Sequence, residues 1–129
     1  LFAALMDGRA EMVTLCTSVS GADEYDDPNT VKVVLDSEGF ALYFSRSPIP
    51  YVRGLQPPSL YKHIGIYGFT RDFLKGFVAS DQGVLERSES LEQLRALEKR
   101  CPVLVLSTVY EGFGIDTERD LEKARTLLA

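Results

Sequence analysis

A single mixed α/β domain whose sheet contains an antiparallel hairpin is the fold class this sequence predicts. Three observations predict it. Val31-Lys32-Val33-Val34-Leu35 is rich in β-branched residues, and the turn Asp36-Ser37-Glu38-Gly39 sends the chain back through Phe40 to Phe44. At least three further strand-like runs occur, over residues 12–16, 61–69 and 102–108. Helical signals alternate with them, which is the pattern of a layered α/β domain. At 129 residues the chain is one domain or part of one.

Taken in order, Leu1 to Met6 reads as the last turns of a helix stopped by Asp7-Gly8, and Met12 to Cys16 reads as a buried strand. Ser18 to Asn29 is polar and acidic and reads as a loop; its run Asp23-Glu24-Tyr25-Asp26-Asp27 reads as solvated surface and not as a metal site. After the hairpin, Pro48 and Pro50 each fix φ and remove a backbone donor, so regular structure stops there. Arg46, at that strand end, is either a surface charge or a fork for a carboxylate or phosphate. Residues 51–60 form a connecting loop.

Tyr61 to Phe69 is the next strand. Strict alternation puts Ile64 and Ile66 on one face and His63, Gly65 and Tyr67 on the other. That polar face reads either as a pocket wall or as a core strand whose histidine and phenol find partners. Thr70 with Asp72 starts a short helix. A second helix is predicted from Glu86 or Ser88 to Lys99, with Leu91, Leu94 and Leu97 as its buried stripe. On that helix Glu86, Glu89 and Gln93 share a side, either as a solvated face or around a polyol ligand. Pro102 to Thr108 reads as a buried strand. Tyr110 to Thr117 is a glycine-bearing loop into a last helix that buries Leu121, Ala124, Leu127 and Leu128. Thr117 can cap that helix, which frees Asp116 for a metal.

Composition excludes several classes. Apolar residues are 45% and charged residues 26% of the chain, ordinary for a globular protein. A net charge of −5 without a basic block leaves no nucleic-acid footprint. No apolar run reaches the roughly 18–20 residues of a membrane span. Cys16 and Cys101 stand apart without further metal-spaced ligands, as reduced thiols in the cytosol do.

Several of these segments, in this order, resemble the 3-deoxy-manno-octulosonate (Kdo) cytidylyltransferases. The resemblance rests on Val31 to Asp36, on Ala41-Leu42-Tyr43-Phe44-Ser45-Arg46-Ser47-Pro48-Ile49-Pro50, on His63 to Tyr67, on Leu91-Glu92-Gln93-Leu94-Arg95, and on Gly114 to Thr117 with Asp120-Leu121-Glu122. It implies a Rossmann-like nucleotidyltransferase fold, usually dimeric through the middle hairpin region. The implied reaction joins CTP and Kdo into CMP-Kdo and pyrophosphate with Mg²⁺, for lipopolysaccharide synthesis. By position, Arg46 would face the sugar carboxylate, His63 and Tyr67 would line the sugar site, Glu89 and Gln93 would hold its hydroxyls, and Asp116 would bind Mg²⁺. Glu86 would stand behind these.

The family's Pro-Ala-Arg signature with its Ser-x-Arg and Lys, and its Gly-Asp-Glu-Pro-like segment, do not occur here. Residues 1–129 are therefore expected to be the C-terminal, sugar-binding and dimerising half, without the CTP-binding half and with little turnover alone. Alternatives within reach of the same sequence are a cytidylyltransferase for another acidic sugar, such as sialic acid, and a non-catalytic dimerisation module.

Overall fold

The computed structural model describes residues 1–54, 59–109 and 118–128. Strands β1 (Met12–Ser18), β2 (Lys32–Leu35), β3 (Ala41–Ser45), β4 (Tyr61–Phe69) and β5 (Val103–Ser107) form one sheet in the order β3-β2-β4-β1-β5. β4 runs antiparallel to β1 and β2, the β2–β3 hairpin is antiparallel, and β1 and β5 are parallel. The sheet is thus mixed, as the sequence predicts. Helices α1 (Phe2–Met6), α2 (Ala22–Asp26), α3 (Arg71–Val78), α4 (Val84–Glu89), α5 (Leu94–Glu98) and α6 (Glu118–Leu128) complete the elements. No helix among the described residues is long and apolar enough to cross a membrane.

The hairpin forms where turn chemistry predicts. Asp36 Oδ1 accepts the N–H groups of Glu38 and Phe40 at 2.9 and 2.8 Å, and Gly39 takes φ +87°. Its tip reaches across to the other edge strand: Val105 N–H donates to Gly39 O at 2.9 Å, and Phe40 bridges Leu104. The sheet is therefore coiled enough for its two edges to meet.

Alternation divides the sheet into two packed faces. Met12, Cys16, Val33, Phe44, Val103 and Val105 pack with Leu91, Leu94 and Ala96, and Tyr67, Phe69, Phe73 and Phe77 flank them. Burial of a side chain such as Phe44 contributes roughly 1.5–3 kcal/mol. On the reverse face Val13 and Leu104 meet Ala4, Leu1 and Leu5 beside α1. A Cβ at Gly68 would stand 3.0 Å from Leu5 Cδ1, so a small residue in β4 lets α1 approach closely.

Three expectations are corrected. The polar stretch from Ser18 holds the five-residue helix α2, with Asp23 and Glu24 in its first turn, where carboxylates favour the N-terminal dipole. The alternation of β4 is interrupted: Thr14 pairs with Tyr67 but Leu15 pairs with Ile64, so Gly65 and Ile66 bulge out. Ile66 is accordingly 50% exposed and does not share a buried face with Ile64. Finally, the single helix from Glu86 to Lys99 is two helices. Ser90 turns into the left-handed region at φ 53° and ends α4, so the side shared by Glu86, Glu89 and Gln93 does not exist. Leu91 and Leu94 are buried all the same.

Glu98 of α5 holds the start of α4. Its Oε1 accepts the N–H groups of Val84 and Leu85 at 2.9 and 3.1 Å, and its Oε2 that of Glu86 at 3.4 Å. A Cβ at Gly83 would lie 1.7 Å from Glu98 Oε2, so a side chain at position 83 would push the capping carboxylate away. Gly83→Ala and Glu98→Ala should each cost about 1 kcal/mol, the usual worth of an N-terminal cap. Because both remove the same cap, the double variant should cost little more than either alone; full additivity in denaturant unfolding would contradict the coupling.

Candidate functional site

His63 and Tyr67 are four residues apart, which in an unbroken strand would separate them by about 13 Å. The bulge shortens that. On β1 their partners are Cys16 and Thr14, only two residues apart, and the His63 and Tyr67 ring centroids lie 5.4 Å from each other. Since the bulge inserts two residues, both side chains keep the same face. Phe44 meets the imidazole edge-on at 5.0 Å, and Tyr67 stacks on Phe69 at 5.8 Å, which stacks in turn on Phe73 and Phe77 of α3. Burial holds the imidazole down to about 4, so it is neutral at pH 7. Burial, and next to it the charge of Glu92, pushes the Tyr67 phenol well up. This is a neutral, aromatic-walled surface with a ring nitrogen and a hydroxyl at its centre.

Arg46 and Glu89 make a second cluster, at the end of β3. The Glu89 carboxylate accepts Ser45 Oγ–H at 2.6 Å and the Arg46 N–H at 2.9 Å. The Arg46 guanidinium donates to Glu89 O at 2.8 Å, Pro28 O at 3.0 Å and Ser90 O at 3.4 Å. Its fork thus grips main-chain carbonyls and ties the 27–30 loop to the end of α4.

Beneath lies Lys32, which is 0% exposed. Register sets Thr17, Lys62, Lys32 and Ser45 side by side across four strands. Directly opposed lysines repel. Each is answered separately: Lys62 pairs with Glu24 of α2, while Lys32 Nζ donates to Asp27 O at 2.8 Å and Thr30 O at 2.5 Å. Burial pulls the Lys32 ammonium below its usual range, against the opposing charges of Asp27, Asp26 and Glu89.

Glu86 is buried in a two-pronged pair with Arg95, whose Nε and Nη2 donate to Oε2 and Oε1 at 2.7 and 2.5 Å. Arg95 keeps the Glu86 carboxyl below the ordinary carboxylate range and also lies 4.7 Å over the Phe77 ring. An open cleft of about 450 Å³ beside this pair is lined by Gln82, Arg87, Ser90 and Glu92. Gln93, at the start of α5, is 2% exposed, and its side chain does not cap that helix. Asp116 lies outside the described residues. Among those described, no three His, Cys, Asp or Glu side chains are grouped to hold a metal ion.

The predicted residues therefore fall into two linked pairs, His63 with Tyr67 and Arg46 with Glu89, and Gln93 stands apart from both. Sequence reasoning missed Thr14 and Lys32. Each left the same trace, a polar residue inside an apolar strand run.

The cytidylyltransferase family profile matches residues 1–105, which makes this mixed sheet part of a nucleotidyltransferase domain. The chain belongs to the cytidylyltransferase family. Among its relatives, a 3-deoxy-manno-octulosonate cytidylyltransferase of Anaeromyxobacter sp. (strain Fw109-5) is 50% identical over 125 residues, covering 96% of this chain and 51% of that protein. One of the same description from Thermodesulfovibrio yellowstonii is 49% identical over 121 residues, covering 89% and 48%. The solved structure of a CMP:2-keto-3-deoxy-manno-octonic acid synthetase complexed with CTP superposes with a TM-score of 0.88 at 38% identity, over 98% of this chain and 52% of that one. The chain spans about half the length of the curated relatives it matches.

The buried imidazole makes stability depend on pH. Its folded pKa, about 4, lies below the ordinary 6.5, so between these values the unfolded chain binds more protons. The stability that neutral His63 confers is full above pH 6.5 and is lost as pH falls toward 4. Denaturant unfolding should show the wild type losing stability across that window more steeply than His63→Gln. A difference between the two that does not change with pH would contradict the burial of a neutral imidazole.

Proposed function

We propose that this chain furnishes the sugar side of a 3-deoxy-manno-octulosonate cytidylyltransferase, which moves a cytidylyl group from CTP to Kdo and releases pyrophosphate. The observation that carries the reading is 50% identity across 96% of the chain to a protein so described. CTP enters by the same route, since the synthetase of matching fold was solved with that nucleotide. A place in lipopolysaccharide synthesis, and in the cytoplasm, follows from this reading.

His63 and Tyr67 suit a sugar. A neutral ring nitrogen and a phenol can bond hydroxyls, and the flanking rings offer apolar surface to the C–H faces of a pyranose. Glu89 would accept hydroxyl protons at the β3 edge, and Gln93 would offer its amide. Arg46 would serve the acid by charge, its fork being engaged with carbonyls. In the reaction the anomeric oxygen bonds the α-phosphorus, the bond to the bridging oxygen breaks, and pyrophosphate leaves with that electron pair. The hydroxyl proton passes to solvent. Holding the hydroxyl in line is the work these residues would do, and positioning is the larger part of such catalysis. Mg²⁺, for which Asp116 is the ligand this chain would offer, supplies charge neutralisation on the phosphates when bound. Leu42 and Tyr51, 61% and 87% exposed beside the hairpin, support a homodimer formed there.

Substitution in a complete cytidylyltransferase bearing this segment tests the reading. His63→Ala and Glu89→Ala should each raise KM for Kdo about tenfold or more, as loss of a hydrogen bond to substrate does, while KM for CTP stays within about twofold. Unchanged use of Kdo by both variants would remove His63 and Glu89 from the sugar site.

A further inference from the structure

The geometry points to Thr14 as a positioning residue that fixes His63 in the Nε2–H tautomer and leaves Nδ1 as the acceptor turned to the ligand. The role in ligand binding rests on the sugar-site reading above; the tautomer does not. Thr14 is 0% exposed on β1, opposite the bulge of β4. Its Oγ1 stands 2.9 Å from Ile66 O, 3.2 Å from Ile64 O and 2.8 Å from His63 Nε2.

A hydroxyl has one proton. Two of its three neighbours are carbonyl oxygens, which can only accept. If the proton went to Nε2, both carbonyls would face the lone pairs of Oγ1 with nothing between them, in a buried site where such contacts are costly. The proton therefore lies toward the carbonyls, nearest Ile66 O. The short contact to the imidazole is then made by a proton on Nε2, donated to Oγ1. With the ring neutral at pH 7, Nδ1 carries a lone pair. Nδ1 has no hydrogen-bond partner among the described residues, and Thr70 Oγ1 is the one fully buried polar atom left unpaired among them.

The groups around the ring leave this assignment undisturbed. Phe44 and Tyr67 flank it, Cys16 is its register partner on β1, and burial pushes that thiol up to about 11, so it stays protonated. Glu92 acts on Tyr67 rather than on the imidazole. One threonine thus does two things: it closes the bulge, and it decides which nitrogen of the histidine meets a ligand. A sugar hydroxyl would donate to Nδ1, which a tautomer with Nδ1–H would refuse.

Nitrogen-15 correlation spectra of the histidine ring at pH 7 test this in a complete cytidylyltransferase bearing the segment, with the His63 signals identified by their loss in His63→Gln. The expected wild-type pattern is Nε2 protonated and Nδ1 bare. Thr14→Val, which keeps shape and removes the hydroxyl, should populate the Nδ1–H form and raise KM for Kdo about tenfold with KM for CTP within about twofold; Thr14→Ser should restore both. A wild-type ring protonated at Nδ1, or a Thr14→Val ring with an unaltered tautomer, would overturn the assignment. The wild-type tautomer is read without any change at Thr14. A changed tautomer with unchanged KM for Kdo would uphold the role of Thr14 at the ring and remove His63 from the sugar site instead.

Discussion

The bulge of β4 at Gly65 and Ile66 is the constraint on which the rest of this structure depends. It inserts two residues against β1, an even number, so it changes spacing without changing face. His63 and Tyr67 are drawn together as if they were two residues apart, and the aromatic series from Phe44 to Phe77 becomes continuous beneath α3. A bulge also strands carbonyls that no longer have a partner strand to bond. Here the Thr14 hydroxyl lies between Ile64 O and Ile66 O and supplies what the ladder lost. Backbone repair and side-chain placement are one arrangement.

The edge at β3 is organised by the opposite principle. There cations serve carbonyl groups. Lys32 and Arg46 both grip the 27–30 loop, and Arg46 and Glu89 lock the end of β3 to the end of α4. Burying an ammonium is expensive unless its donors are used, and the two short bonds from Lys32 Nζ meet that need. α4 is held at its other end by Glu98 and in its middle by the Glu86–Arg95 pair. A helix of six residues would be marginal alone. Its position here is set by charge-assisted bonds at three points, and Glu89 is placed by that frame.

Much of this was legible in the sequence. β-Branched Val31 to Leu35 with the Asp36–Gly39 turn defined the hairpin, and the apolar runs placed the other strands, because burial and turn chemistry are local signals. The bulge was not legible. Gly65 offered a hint, but Ile64 and Ile66 satisfy strict alternation, and only the partner strand reveals that β1 is two residues short. The break at Ser90 was hidden for a similar reason. A serine has no preference for the left-handed region, and the periodic leucines continue past it; what ends α4 is the tertiary frame around Glu86 and Glu89. His63 and Tyr67 were identified by face and proved adjacent. Glu86 was read from its spacing as part of a solvated face or of a ligand's surroundings, and its partner Arg95, nine residues on, lies outside any helical spacing rule.

The face of β4 carrying His63 and Tyr67 is proposed as the sugar-binding surface. A crystal structure of a complete cytidylyltransferase bearing this segment, with Kdo bound, tests it most directly. The expected result is the sugar ring against those two side chains, with a hydroxyl on His63 Nδ1. Kdo bound elsewhere, with His63 and Tyr67 enclosed by protein, would contradict it.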